Sequence, residues 1–360
     1  MKEERCYGLD LYRIMAMLMI TALHVNNQQL NLMKHNVPSV SSMGYLIEYI
    51  CFCGVNCFAL LTGFLFKSKM NYDKKWFSKV FDIFCKVVIS GFIVYFTVLV
   101  FSASLSFNFK IFCYIIVQGG ALWYIGAYLG LMMFLPILSG ITFRHSSREL
   151  LLFSTFSFAL FSCFTVIYRP VWLCLGDGYS IFWLMICFIW GQALQSLAPI
   201  VLRWKYNTVF LLSGALIGGI APFIFYKLQL PGWNRFMSYL SPFCIFEAVC
   251  LLLLFSKIKI TGTKKQKILK FISSMSLGIY LFQANPAVWR TIFIGNNAVQ
   301  KSIGEILWKF PVTILTISVL GILVYYLVEK IYQIPVFGWI RDKFWAIING
   351  IISLIFKEHI

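Results

Sequence analysis

DLYRIMAMLMITALHV, residues Asp10–Val25, is the stretch that decides the fold. It is almost wholly apolar, yet it holds Asp10 and Arg13 near one end and His24 near the other. The composition says which solvent this segment meets. Of 360 residues, 60% are hydrophobic and 12% are charged, and the mean hydropathy is +0.81. A soluble domain averages about 45–50% apolar and about 25% charged. Long apolar runs separated by short charged stretches predict an all-α, polytopic integral membrane protein. In hydrocarbon a helix satisfies its own backbone, and a span needs about 20 residues.

Apolar runs predict ten spans, near 9–30, 44–66, 83–105, 121–141, 149–168, 179–199, 207–227, 237–256, 270–289 and 303–329. With the N-terminus in the cytoplasm, the inner segments hold 23 of the 31 Lys and Arg. These include Lys67–Lys86, Arg144, Arg148, Arg203 and the dense group Lys257–Lys270. The outer segments keep eight, among them Lys34, Lys110, Lys227 and Lys309. This positive-inside bias predicts an even number of spans and both termini inside. It also accounts for the net charge of +18 without a nucleic-acid partner; the partner it implies is membrane lipid.

Residues 106–120 are too short to span and predict a re-entrant or interfacial helix ending at Gly119–Gly120. Residues 331–360 follow the ten-helix domain, 1–330. From Phe337, the residues Ile340, Phe344, Ile347, Ile351 and Ile355 share a helical face, which predicts an amphipathic helix on the inner leaflet. The eleven cysteines lie mostly within apolar runs, with no accompanying histidine spacing. They read as small hydrophobes, with no disulfide framework and no metal site. The first apolar run is too long for a signal-peptide core and lacks a cleavage site of small residues.

An ionisable group within a bilayer costs on the order of 3 kcal/mol on insertion scales, so each one needs a reason. Arg13 and His24 are eleven residues apart, three turns plus ~20° at ~100° per residue, and so share one face about 16 Å apart along the axis. Asp10 lies on the same face, within side-chain reach of Arg13. Lipid would leave these groups unpartnered, so the face points into the protein. Taken singly, Arg13 also reads as a cation snorkelling to the interface, and His24 as a polar contact between helices. Glu48 reads as a residue orienting His24 or as one reaching interfacial water. Glu247, deep in its span, needs a partner or a proton. Gln192 and Gln195 predict helix–helix hydrogen bonds. Trp172, Tyr179, Trp233 and Trp339 fit interfacial belts.

These residues carry a resemblance. The opening YGLDLYRIMAMLMITALHV (residues 7–25) resembles that of the membrane-bound acyltransferase 3 family, with a cation and then a histidine eleven positions on. GVNCFALLTGFLF (54–66) is similar to the family's aromatic-rich Ser-Gly ending, with Thr62–Gly63 in place of Ser-Gly. ALWYIGAYLGLMMFLPIL (121–138) and SSMSLGIYLFQANP (273–286) match its Trp-aromatic and Ser-Leu-Gly-Ile-Tyr-Leu segments. There are two departures. Gln283 stands near a position where many relatives have histidine, and Lys79 with Asp82 stands where some have a pair of arginines.

The resemblance implies ten spans, a cytoplasmic acyl-CoA donor, usually acetyl-CoA, and a glycan hydroxyl as acceptor. No permanently bound cofactor is expected, and the location is the plasma membrane. Acyl transfer needs a base for the attacking hydroxyl, and His24 takes that role. Arg13 takes the donor end. Lys75 and Lys79 attract donor phosphate or simply mark topology. The oxyanion needs a donor, for which Asn56, Thr62, Trp123 and Tyr124 are candidates, with Asp10 and Glu48 as orienting groups. Two other readings remain open at this point: a glycan or lipid-linked-precursor transporter, and a non-catalytic subunit.

Overall fold

The computed structural model describes residues 5–101, 106–110, 112–113, 122–168, 173–288 and 303–357. A chain facing hydrocarbon must close its hydrogen bonds within each segment. The protein is accordingly 83% helical with no strand among the described residues. The helices are α1 (Tyr7–His24), α2 (Pro38–Cys51), α3 (Gly54–Phe64), α4 (Lys74–Phe101), α5 (Trp123–Thr142) and α6 (Ser147–Phe158). They continue with α7 (Ile181–Val201), α8 (Asn207–Lys227), α9 (Pro242–Ser256), α10 (Thr263–Gln283), α11 (Ile303–Tyr332) and α12 (Pro335–Lys357).

Helices stand at all ten expected positions, and eight of these segments are long and apolar enough to cross a membrane. The other two are α9 and α10. Helix α9 has 15 residues, about 22 Å at ~1.5 Å per residue, short of the ~30 Å hydrocarbon core. Helix α10 opens with Lys264, Lys265, Lys267 and Lys270, which dilute its apolar stretch.

Three boundaries differ from expectation. The second expected span is broken at Phe52–Cys53 into α2 and α3. Helix α1 ends at His24 and passes into a π-helical turn, Val25–Gln29. Helix α4 starts at Lys74, so Lys75 and Lys79 lie on its first turns. Of the expected helix at 106–120, only seven residues are described, and Gly119–Gly120 and Trp172 lie outside the described residues. Within that part, Tyr95 Oη accepts from the Asn108 backbone N–H at 2.8 Å.

Close crossings set how the helices lie. A Cβ on Gly63 would stand 1.9 Å from the Phe188 carbonyl oxygen, and one on Gly191 would stand 2.2 Å from that of Leu60. Only glycine lets α3 and α7 approach this closely. Gln195 Nε2 then donates across the crossing to the Phe64 carbonyl at 2.8 Å. Gly278 does the same for α10 against α11, where a Cβ would meet that of Tyr325 at 2.1 Å.

The core lies where α1, α3, α5, α7, α9 and α10 converge, around buried Tyr12, Leu60, Trp183 and Phe188. Glu247 of α9 is buried beside it, within hydrogen-bonding reach of Cys53. The cysteines are free thiols, and no group of ligating residues among the described residues is arranged to hold a metal.

Helix α12 leaves α11 at Pro335 and packs on the start of α4. Trp345 lies 5.4 Å from Phe77 and Phe344 lies 5.9 Å from Phe81, ring centre to ring centre. Lys74 Nζ pairs with Asp342 at 3.1 Å, and Arg341 with Asp82 at 3.3 Å. Trp339, Ile347, Ile351 and Leu354 remain exposed along the helix.

Candidate functional site

Helix α1 lies between α3 and α10, and its two ends meet different chemistry. At the N-terminal end, Arg5 grips Asp10 as a fork: Nε donates to Oδ2 and Nη2 to Oδ1, both at 2.7 Å. Ser273 Oγ donates to Asp10 Oδ1 at 2.8 Å and accepts from Arg13 Nη1 at 3.1 Å. Arg13 itself stands 3.9 Å from Asp10. The spacing of Asp10 and Arg13 predicts their pairing, but Arg5 is the tighter partner and Ser273 the bridge. A guanidinium has five N–H donors. With Arg5 holding Asp10, Arg13 keeps donors to present to a 380 Å³ cavity that it lines with Thr62, Tyr128, Ser274 and Ser276.

At the C-terminal end, His24 lines a second cavity of 220 Å³ with Asn27, Glu48, Trp123, Tyr179 and Tyr239. The side chain of Gln283 hydrogen-bonds His24. Thus α10 runs parallel to α1, with Ser273 level with Arg13 and Gln283 level with His24. The departure from the family pattern at Gln283 therefore stands against the imidazole. Ile20, Tyr124 and Tyr280 line both cavities and form the wall between them. Tyr124 and Tyr280 meet edge to face, 6.0 Å between ring centres.

Glu48 does not need His24 to hold it. Its Oε2 accepts from Asn26 Nδ2 at 3.0 Å and from Asn27 Nδ2 at 2.9 Å, and its Oε1 accepts from Asn27 at 3.0 Å. It is buried at 4% exposure and borders the cavity. Asn56 is committed elsewhere. Its Nδ2 donates to the Tyr239 carbonyl at 2.8 Å, its Oδ1 accepts from Trp183 Nε1 at 2.9 Å, and it lines neither cavity. Thr62 lines the Arg13 cavity while donating to the Phe58 carbonyl at 2.9 Å. Trp123 lines the His24 cavity, and Tyr124 lines both.

Lys75 and Lys79 belong to a third cavity of 350 Å³, lined also by Lys67, Lys69, Asp73 and Trp76. It follows the C-terminal end of α3, the same end that carries Thr62 into the Arg13 cavity. The lysines therefore gather on the Arg13 side of the molecule and not on the His24 side.

Sequence spacing placed Asp10, Arg13 and His24 on one face, but it missed Arg5, Ser273, Asn26, Asn27 and Tyr280. Arg5 is close in sequence to Asp10, but Asn26 and Asn27 meet Glu48 from another helix, and the π turn that redirects them leaves no periodic signal. Ser273 and Tyr280 reach the site through a contact more than 250 residues away along the chain.

No curated protein and no solved structure is significantly similar to this chain. The family model described as an acyltransferase domain, acyltransferase 3, matches residues 7–330. That stretch runs from the first residue of α1 almost to the end of α11 and takes in every cavity-lining residue described above. The chain therefore belongs to the acyltransferase 3 family and is a multi-pass membrane acyltransferase.

Proposed function

We propose that the protein moves an acyl group, acetyl in the simplest case, from cytoplasmic acyl-CoA to a hydroxyl of a cell-surface or exported glycan. The observation that carries this reading is the division of α1 between two cavities, with Arg13 at one and His24 at the other, separated by Ile20, Tyr124 and Tyr280. An anionic donor suits the cation-rich end. Arg13 anchors it, and Lys75 and Lys79 draw its phosphates toward the same side. The acyl-bearing arm of the donor passes between Tyr124 and Tyr280 to the His24 cavity. The termini and α12 then lie at the cytoplasmic face of the plasma membrane, with the exposed apolar residues of α12 in the inner leaflet.

The chemistry follows from the groups at His24. The acceptor oxygen attacks the thioester carbonyl while the imidazole takes the hydroxyl proton. Gln283 holds the imidazole in place. The tetrahedral intermediate collapses with loss of the C–S bond, and the proton passes to the departing CoA thiolate. Tyr124, which borders both cavities, donates to the oxyanion. Asn56 is a scaffold residue tying α3 to α7 and to the Tyr239 segment. The test is reconstitution of the purified protein in liposomes with acetyl-CoA outside the donor face and candidate glycans at the other. Release of free CoA thiol with acylation of glycan, lost in His24→Ala, is the expected result. Movement of labelled glycan with the thioester intact would replace this reading with transport.

A further inference from the structure

The transfer chemistry uses His24 from the outer cavity and leaves Glu48 without a task. Glu48 is a buried carboxylate, and among the described residues no lysine or arginine pairs with it. A buried charge is normally matched by a cation or by a full set of hydrogen bonds. Here Asn26 and Asn27 supply donors on one side only, and the carboxylate borders the cavity on the other. A carboxylate offers about four lone-pair sites, more than the three contacts these amides make.

The backbone is built to hold this arrangement. Successive residues of an α-helix point ~100° apart, yet Asn26 and Asn27 both reach Glu48. They do so from the π-helical turn Val25–Gln29, which immediately follows His24. Such turns are uncommon and occur often at functional sites. The same turn therefore ends the helix at the base and aims two amides at the carboxylate.

Facing them is an aromatic wall. Trp123 lies 4.5 Å from Tyr179 and 5.8 Å from Tyr239, and Tyr179 lies 4.9 Å from Tyr239, all tilted against one another. These rings abut in a continuous surface and do not box in a central point as a cage for a cation would. A ligand with one apolar face and a rim of hydroxyls matches a wall of this kind opposite a carboxylate. The volume of 220 Å³ is below the ~300–1,000 Å³ of drug-sized ligand sites, and suits one ring unit entering from a longer chain.

We propose that Glu48 is an acceptor-positioning residue that accepts a hydrogen bond from a hydroxyl next to the one His24 deprotonates. The site thereby selects a saccharide ring with neighbouring hydroxyls, stacked on Trp123 and Tyr179. This inference rests on the assignment of the His24 cavity to the acceptor.

Two measurements on the full chain in nanodiscs separate the inference from that assignment. The first is saturation-transfer difference NMR without acyl donor, using methyl glucoside, methyl galactoside, choline and decanol as probes. Sugar signals strongest at ring C–H protons are expected, weakened on the order of tenfold by Glu48→Gln and less by Glu48→Asp, with Tyr179→Leu reducing the ring signals. The second is the transfer assay, in which Glu48→Gln raises the acceptor KM on the order of tenfold while the donor KM holds. A steady donor KM also shows that the variant is folded. Sugar binding that depends on Glu48 without any thiol release would keep Glu48 as the residue that positions a saccharide ring and overturn acyl transfer. His24-dependent transfer with an acceptor KM indifferent to Glu48→Gln would do the reverse. Binding of choline or decanol in place of the sugars, or no binding of any probe, would overturn the inference.

Discussion

The two ends of α1 differ in how they treat charge. At the Arg13 end, a carboxylate is forked by Arg5 and joined to Arg13 through a serine, and lysines stand nearby. At the His24 end, among the described residues, no lysine or arginine lines the cavity, and a carboxylate is held by neutral amides against aromatic rings. One end suits an anion with phosphates, the other a neutral, hydroxyl-bearing molecule. A single helix can serve both because its eleven-residue spacing repeats the same face at two depths.

The comparison breaks first at His24. On the proposed mechanism, His24→Ala lowers kcat by about 10²–10⁴-fold, read as thiol release at saturating substrates, with donor KM little altered. Full activity in that variant would remove the chemistry from this end. Arg13→Ala comes next. Loss of a hydrogen bond to a charged group, about 1.5–3 kcal/mol, raises the donor KM roughly 10–100-fold and spares the acceptor KM. An equal effect on both KM values would mean that Arg13 holds the bundle and does not bind the donor.

Gly63→Ala tests the frame between the two ends. The new methyl would meet the Phe188 carbonyl, so overpacking of about 1–3 kcal/mol lowers the thermal midpoint in detergent. Unchanged melting would mean that α3 and α7 can separate freely. Arg5→Ala sharpens the comparison more subtly. It frees Asp10 to take Arg13 as its close partner, drawing the guanidinium off the cavity. A rise of a few-fold in the donor KM is expected, and Asp10→Asn in the same background restores it. The smallest effect is at α12. The Lys74 ammonium, with Arg341 beside it, holds the exposed Asp342 carboxyl below its ordinary range. A depressed carboxyl supports docking above its ordinary range and loses that support as the pH falls through its lowered one. Hydrogen-exchange protection factors of Pro335–Lys357, corrected for the intrinsic rate at each pH, should therefore fall in acid, and Asp342→Asn should remove that pH dependence.

Much of the fold was legible because hydrocarbon imposes a strong, one-dimensional rule: long apolar runs, charges at their ends. All ten helix positions follow from it. The rule was blind to the break at Phe52–Cys53 and to the π turn at Val25–Gln29, because neither changes hydropathy. In the site, the shared face of Arg13 and His24 was legible from helical periodicity. Asn56 looked available by polarity, yet its amide is consumed by Tyr239, Cys244 and Trp183, contacts that sequence cannot display. Gln283 looked like a loss relative to the family pattern, and it proves to be a hydrogen-bond partner of His24.

By itself, then, the sequence determined that this is a helical membrane protein and that Asp10, Arg13 and His24 share one face of its first helix. Hydropathy and the 3.6-residue period are local, so adjacent residues suffice to specify them. Only the tertiary structure decided which partners those residues take and that a wall of Ile20, Tyr124 and Tyr280 divides their surroundings. Those outcomes depend on which distant helices can approach, and glycines such as Gly63 and Gly278 set that distance by lacking a side chain.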